Sequence, residues 1–541
     1  NQRVSEGKRY SQRLARWVGR EPNLRLYLNT HATGVEMAGA RIAAVTALEV
    51  GTGRRLRFPA PLFIDATGDG SVGAAAGAEY RQGKEPRALH GEPWAPEEPS
   101  PHTMGNGLKY YHHDVGIPQP FTAPSWVYRF ETCEAFAPGR HPRFITSEEI
   151  DYQWIFELGG LQDTCTEAEE IRDDLLRLVY GLWDHTKNHC PRDRERAATH
   201  RLVWVGHVAG KRESRRLMGD YVLTQNDIVA QNLFADRVAY GAWTIDDHHS
   251  EGFFHQGSFG RHYDEPHLAC RGLPYSIPFR SLYSRNVENL LMAGRNISVT
   301  HLALANTRVM LTCAVIGQAA GTAAALCVAH QTTPRGVYQH HLEELQQQLL
   351  KDGAYLIGLP NRDPRDMARR AQVSASSVAI GGPDAPPPHA ENIINGFARA
   401  EGGRANAWLP NPHACPPHWV ELSWPTPISL NVVHVVFQTA ALAPRAFALE
   451  VWRDGGWERV WSTDQNSRRR RVIPLARQTT RRLRVVLPQP CGICEVRVYD
   501  EPSPVVESAR RVEAAVGEPD TGPFLPWEMT PASITPNAPR T

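Results

Sequence analysis

The sequence predicts an α/β unit followed by an all-β sandwich. Two apolar stretches, residues 61–64 and 290–293, each run into a glycine turn, and the second leads to a helix of small residues reaching Ala329. Buried strands that end in glycine turns before helices are the building blocks of α/β folds. After Leu350 the pattern changes to short alternating strands separated by turns such as Asp454-Gly455-Gly456. That spacing indicates a β-sandwich of jelly-roll type.

Taken in order, residues 7–18 read as a helix. The segments 24–28, 34–37, 42–50, 56–58 and 61–64 read as strands of a small sheet. The last strand enters Asp65-Ala66-Thr67-Gly68-Asp69-Gly70 and a small-residue helix at 72–78. Residues 81–150, rich in Pro, His, Trp and Gly, read as a loop or insertion. Residues 167–185 read as an amphipathic helix with Ile171, Leu175, Leu178, Val179 and Leu182 on one stripe. The polar stretch 210–220 follows, then the 289–329 block, which makes residues 1–350 one domain. Residues 351–365 read as a Gly/Pro/Asp linker and 366–500 as the sandwich, with strands at 419–424, 430–437, 446–452, 457–461, 481–487 and 495–499. Residues 501–541 form a Pro-rich, poorly ordered tail.

A chain of 541 residues exceeds a single core and calls for two or three domains. Hydrophobic content of 41% and charge of 22% are those of a folded globular protein. A net charge of +1 argues against a general nucleic-acid or membrane-surface binder. Nine cysteines are too few for a disulfide scaffold. Their one CxxC pair, Cys491 and Cys494, reads as structural or as a disulfide. No four-thiolate pattern is present, so neither an iron–sulfur cluster nor another metal site is expected. The apolar run 314–329 is interrupted by Gln318 and Thr322 and is short for a bilayer, so no membrane span is expected. The chain begins with Asn1 and shows no signal peptide. A front piece is therefore expected to be missing, and the compartment stays open between cytoplasmic and periplasmic or secreted.

Gly317 and Gly321 lie four apart in the small-residue helix. Each costs roughly 1 kcal/mol against alanine, so two on one face indicate a close approach to the backbone. With the strand and glycine turn before them, they suit a bulky electron-accepting cofactor, whose negative charge a helix N-terminus stabilises.

Together, FIDATGDG (63–70) and NLLMAGRNIS (289–298) resemble the FAD-dependent oxidoreductases of the glutathione-reductase-like type. YGLWDHTKN (180–188), GKRESRRLMGDYVLTQNDI (210–228), AYGAWTIDDHH (239–249) and the block 289–326 narrow the resemblance. They are similar to a family of large bacterial FAD-dependent oxidoreductases, often found beside carbohydrate-degrading proteins and sometimes labelled xanthan-lyase-like. The resemblance implies that Ala66, Thr67, Gly68 and Asp69 hold the ribose and pyrophosphate region of FAD. It places Gly294 and Arg295 near the ribitol and pyrophosphate. Related flavoproteins usually carry Gly-Asp there, and Arg295 is a departure suited to pairing with phosphate. Gly317 and Gln318 would let the flavin pyrimidine edge come close to their helix. The largest departure is the absence of the strand and GxGxxG turn that open a dinucleotide-binding fold. The fold is expected to be an incomplete FAD/NAD(P)-binding flavoprotein fold, with about 100 N-terminal residues missing.

Each candidate for chemistry has an alternative. His301 is a general base near the flavin, or a loop histidine bonded to backbone. Asp246, Asp247, His248 and His249 line a substrate cavity or bind a metal; His248 is taken with His301 and Arg308 as the catalytic candidates. Arg308 orients an anionic group or makes a structural ion pair. Arg212, Glu213, Arg215 and Arg216 read as a buried or interdomain salt-bridge network.

The C-terminal region resembles the discoidin-like, coagulation-factor C-type carbohydrate-binding fold, through ENIINGFARAEGGRANAWLP (391–410), HWVELSW (418–424) and CEVRVYD (494–500). The resemblance implies glycan contact by loop residues, here Trp408 and Asn406, with Trp424 and Trp452 in the core. The run Arg468 to Arg471 is a solvated strand edge or touches an acidic polysaccharide. The leading expectation is therefore a flavoprotein oxidoreductase passing hydride between flavin and a small-molecule or saccharide substrate, with an appended sugar-binding sandwich. The rivals are a redox-silent glycan-binding scaffold and an electron-transfer flavoprotein like the heterodisulfide reductases.

Overall fold

A computed structural model gives the fold. It describes residues 14–142, 155–258, 260–270, 272–380, 388–400 and 406–514. The chain divides into two compact units: Asn1–Gln346 with Tyr355–Ile357, and Gln347–Ala354 with Gly358–Thr541.

The first unit begins with an antiparallel meander, β1 (Thr30–Ala38), β2 (Arg41–Glu49) and β3 (Arg54–Pro59). The central strand buries Ile42, Ala44 and Ala47. Residues 24–28 form no strand; Leu24, Leu26 and Leu28 are exposed and meet no partner strand. The helix read at 7–18 falls partly outside the described residues, which are helical over 14–19. β4 (Phe63–Asp65) leads to α1 (Ser71–Ala75), which stops short of residue 78 because Gly77 adopts φ +72°, a left-handed conformation that ends helices. The long helix α2 (Ala168–Asp184) buries Ile171, Leu175, Leu178, Val179 and Leu182, its one apolar stripe.

β5 (Leu290–Met292) pairs with β4 in parallel. The single helix expected after it is two: α3 (His301–Thr307), wholly buried, and α4 (Met310–Ala329). They break at Val309, whose backbone is extended (φ −67°, ψ 143°). α4 packs through Thr312, Ile316, Ala319, Ala320, Ala323 and Cys327. At 20 residues and a mean hydropathy of 1.7 it is long and apolar enough, by length and composition, to cross a membrane. This corrects the shorter run expected from sequence.

In the second unit β6 (Gln372–Ala375), β7 (His418–Phe437), β8 (Phe447–Arg453), β9 (Gly456–Thr463), β10 (Arg470–Leu487) and β11 (Ile493–Tyr499) build the sandwich. Strand order is β6-β7-β10-β8-β9, with β11 also on β7. Two strands read separately from sequence, 419–424 and 430–437, are one strand that pairs with β6 and β10 in its first part and with β10 and β11 in its second. Its register breaks between Ser423 and Ile428 and between Leu430 and Val432. Pro425 and Pro427 lie in the first break, where a missing N–H costs no ladder bond. Val420, Leu422, Val433, Val435, Leu449, Val485, Val496 and Val498 fill the core between the faces. The first part of the Pro-rich tail is ordered: α5 (Ser503–Ala514) buries Val506 beside Val432 and Tyr499. Residues 515–541 lie outside the described residues.

The glycan contacts expected in this unit are not on its surface. Trp408 is fully buried and donates from Nε1 to Ser377 O at 2.9 Å; Asn406 is buried and donates to Phe397 O. Arg471 is buried and pairs with Glu513, and Arg470 donates to Lys351 O at 2.6 Å, so of the run 468–471 only Arg468 is exposed. Trp457 is half-buried, but its ring is covered by Arg484 at 4.1 Å and Arg482 at 4.9 Å. Cys491 and Cys494 are buried free thiols, not a disulfide.

Candidate functional site

The parallel pairing of β4 and β5 sets Phe63 beside Leu290, Ile64 beside Leu291 and Asp65 beside Met292. Both chains therefore leave the pair at the same end, and Ala66–Gly70 and Gly294-Arg295 meet there. Asp65, buried at the strand end, shapes the first loop. Its Oδ1 accepts from Thr67 N at 2.9 Å and Thr67 Oγ1 at 2.7 Å, and its Oδ2 accepts from Gly73 N at 2.8 Å. Gly68 and Gly294 have φ of +76° and +93°, which side chains with a Cβ adopt only with strain. A Cβ on Gly68 would also lie 3.1 Å from the Arg295 guanidinium.

The electrostatics of this cradle centre on Asp69. Arg295 reaches it at 2.5 Å and Lys211 at 2.7 Å. Burial raises the Asp69 pKa, but the hydrogen bonds and charges of Lys211 and Arg295 outweigh it and hold the carboxyl below its ordinary value. Ala66 and Thr67 are exposed, and Gly68, Asp69, Gly294 and Arg295 are half-buried. Asn296, one residue on, donates to Asp65 O at 3.1 Å while its buried Oδ1 has no partner. Six of the eight expected cofactor residues thus converge. Gly317 and Gln318 lie on a separate element. They sit inside α4, about 10 Å along the axis from its first residue. Nothing lies within 4 Å of a Cβ built on Gly317 or Gly321.

The three catalytic candidates fall in a second cluster, strung along Asp246, Asp247 and His248. His301, the first residue of α3, is 2% exposed. Its Nδ1 meets Glu213 at 2.9 Å and its Nε2 meets Asp247 at 2.9 Å. Burial lowers the His301 pKa, but Glu213 and Asp247 outweigh it and raise it to about 9. Both ring nitrogens of His301 face carboxylates, an arrangement that favours the imidazolium, and this corrects the reading of a loop histidine bonded to backbone. Arg216, fully buried, bridges Glu213 at 2.5 Å and Glu85 at 2.7 Å. Glu85 in turn accepts from His301 N at 2.9 Å.

The next carboxylate faces the other way. Asp246 accepts from Arg308 at 3.0 Å and lies 3.2 Å from His248 Nε2, and His248 Nδ1 lies 2.7 Å from Glu157. Burial raises the Asp246 pKa, and His248 and Arg308 more than reverse it, keeping it far below the usual range. Burial lowers the His248 pKa, but Glu157 and Asp246 outweigh it, so the net shift is upward. Asp246 and His248 meet each other, but Asp247 turns to His301 and His249 stacks on His255 at 3.9 Å, so the four donors 246–249 do not converge on one point. They therefore do not share a metal. Around this cluster several buried polar atoms lack partners: Arg308 Nε, Glu157 Oε1 and both side-chain polar atoms of Asn106. Asn106 is held between Lys211 and Leu158, next to Glu157, by two-residue strand pairings. Unpaired buried polar atoms in such number mark a place where a polar ligand or water belongs.

Glu85 and Asn106 sit singly in the Pro-rich stretch 81–150, and Glu157 lies just beyond it, all without periodicity, so none stands out in the sequence. Buried glutamates in such a stretch carry no local signal; only their partners reveal them.

With this geometry in view, the comparisons are informative. The model of the FAD dependent oxidoreductase family matches residues 2–349, and the chain belongs to that family. No curated protein matches the chain. Solved structures resemble parts of it. A chitosan-binding module from a Paenibacillus sp. IK-5 chitosanase/glucanase shares 19% identity, over 25% of this chain and 98% of that one, with a TM-score of 0.21. A Clostridium perfringens module in complex with GalNAc-beta-1,3-galactose shares 14%, over 25% and 97%, with a TM-score of 0.21. A family 32 carbohydrate-binding module from Streptococcus pneumoniae shares 13%, over 24% and 98%, with a TM-score of 0.20.

Proposed function

We propose that the first unit binds FAD at the cradle and oxidises or reduces a small polar substrate beside it. The observation that carries this is the convergence of two glycine loops with Lys211 and Arg295 at one end of the β4–β5 pair. When bound, FAD supplies the hydride acceptor or donor. Arg295 and Lys211 would exchange part of their hold on Asp69 for the diphosphate, a charge-assisted contact suited to the planar guanidinium. Thr67 and the Gly68 backbone border the same space, and Asp65 keeps the loop in shape for it. Arg308, Asp246 and Asn106 would contact the polar groups of the substrate. His301 holds a fixed positive charge behind them, clamped by Glu213 and Asp247. A saccharide-derived substrate is the reading motivated by the discoidin-like resemblance of the second unit.

The test is a titration of the full chain with FAD, followed by flavin fluorescence and visible absorbance. Saturable binding in the wild type, weakened at least about tenfold in Arg295→Met, is the expected result. No saturable binding would overturn the proposal and favour the redox-silent scaffold. Reduction of the bound flavin by a panel of sugars, compared with small non-sugar alcohols and acids, tests the substrate class separately.

A further inference from the structure

Outside the site just described, two thiols and two imidazoles meet at the C-terminal end of α2. Cys133 Sγ lies 3.2 Å from His141 Nε2 and 3.7 Å from His185 Nε2. The two Nε2 atoms are 3.2 Å apart, and Cys190 Sγ is 3.7 Å from His141 Nε2. All four donor atoms fall within 4.8 Å of one another. Zinc–sulfur bonds near 2.3 Å and zinc–nitrogen bonds near 2.0–2.1 Å make the edges of a tetrahedral S2N2 site roughly 3.3–3.8 Å long. The observed separations are of that size. We propose that Cys133, His141, His185 and Cys190 bind one zinc ion as a closed, structural Cys2His2 site.

The surroundings orient these side chains for a metal. His185 Nδ1 faces Phe130 O at 2.8 Å, and His141 Nδ1 faces Pro142 O at 2.7 Å. A carbonyl accepts only, so each Nδ1 carries the proton and each Nε2 presents a lone pair inward. Two lone pairs facing each other at 3.2 Å repel unless a proton or a metal cation lies between them. Arg192 stands outside His141, 3.3 Å from its Nδ1 and 3.4 Å from Pro142 O. Asp193, 3.6 Å from Cys190 Sγ, is held by Arg192 and Arg196.

The backbone serves the same end. α2 runs into one π-helical turn, His185–His189. There Cys190 N donates to His185 O at 2.7 Å, a bond between residues five apart that stacks those side chains on one side. Lys187, buried, secures the turn by donating to the carbonyls of Ala197, Ala198 and His200. The other two ligands come from irregular chain: Cys133 from a single 3-10 turn and His141 eight residues later. Phe136 packs edge-on against both imidazoles, with ring centres 5.0 and 4.7 Å apart. A metal here would clip a segment with little regular structure to the end of a long helix. Four protein ligands leave no open position, the signature of a structural rather than a catalytic zinc. No four-thiolate pattern marks this site in the sequence, and 44 positions separate His141 from His185.

The full chain, purified without chelator under reducing conditions, tests the site by elemental analysis. One zinc per chain is expected, and cobalt in its place should give the intense visible bands of a tetrahedral thiolate site. Cys190→Ser and His185→Gln should lose the metal, while Cys415→Ser, at an exposed cysteine, should keep it. Removing zinc should lower the thermal midpoint of unfolding, and zinc but not magnesium should restore it. Protein that takes up no stoichiometric zinc on addition would overturn the proposal. So would Cys190→Ser protein that keeps a full equivalent, or a Cys133–Cys190 disulfide found by mass spectrometry in fresh protein. None of these readouts depends on FAD.

Discussion

Two ionic clusters in the first unit use the same chemistry at different depths. In the cradle, Asp69 shares Lys211 and Arg295, and all three side chains keep between 17% and 24% of their exposure. Behind it, His301 and Arg216 lie between Glu85, Glu213 and Asp247 with almost none. Water and a ligand can compete for the first set, so its cations are free to change partners. The second cannot be resolvated without unfolding, so its charges are fixed in number and place. The difference separates residues suited to hold an exchangeable anion from residues that set a permanent field.

The largest expected effect breaks the deeper cluster. Arg216→Met strands two buried carboxylates and should cost about 3–5 kcal/mol in urea unfolding. A loss below about 1 kcal/mol would show that water reaches this cluster after all. Trp408→Ala should cost a similar amount, about 3–5 kcal/mol, because it empties a buried site in the sandwich. A glycan-binding loss without destabilisation would instead return Trp408 to the surface.

The pH dependence of stability sharpens the contrast. His301 has a folded pKa raised to about 9 against an ordinary 6.5. Its contribution is therefore fully present below pH 6.5 and is lost as pH rises through about 9, an amount of roughly 3 kcal/mol by linkage. Asp247 runs the other way: its lowered pKa gives stability that is present above its ordinary 3.8 and is lost as the solution becomes more acidic. Wild-type stability should thus fall between pH 6.5 and 9 more steeply than that of His301→Gln, measured by denaturant midpoints. Equal slopes would mean that His301 is neutral in the fold.

The smallest effect belongs to the cradle. Arg295→Met leaves Asp69 with Lys211 and should change stability by less than about 1 kcal/mol. The same substitution should weaken FAD binding at least about tenfold, or about 1.4 kcal/mol, and more at low salt. A variant that unfolds easily but binds FAD normally would reverse the roles assigned to the two clusters.

Much of the fold was legible because it is periodic. The stripe of α2, the alternation at the start of β2 and the strands before Asp65 and Gly294 are local patterns of burial, and local patterns predict local structure. The glycine loops were legible for a related reason, since a left-handed turn after a strand leaves few residue choices. What failed shows where locality ends. The strand through Pro425 and Pro427 looked like two, because only the neighbouring strand, paired on both sides of the prolines, tells a bend from a break. Trp408 looked like a loop anchor, because nothing near it in the chain announces the Ser377 carbonyl that it meets.

The two-part architecture and the two strand-to-glycine elements are written locally in the chain, because hydrophobic period and glycine conformation are properties of neighbours along it. Only the tertiary structure decided which charges meet. It set Asp69 against Lys211, His301 between Glu213 and Asp247, and Cys133 beside Cys190. A charge or a thiol has no periodicity of its own. Its role depends on distance and burial, and both arise only when remote segments pack.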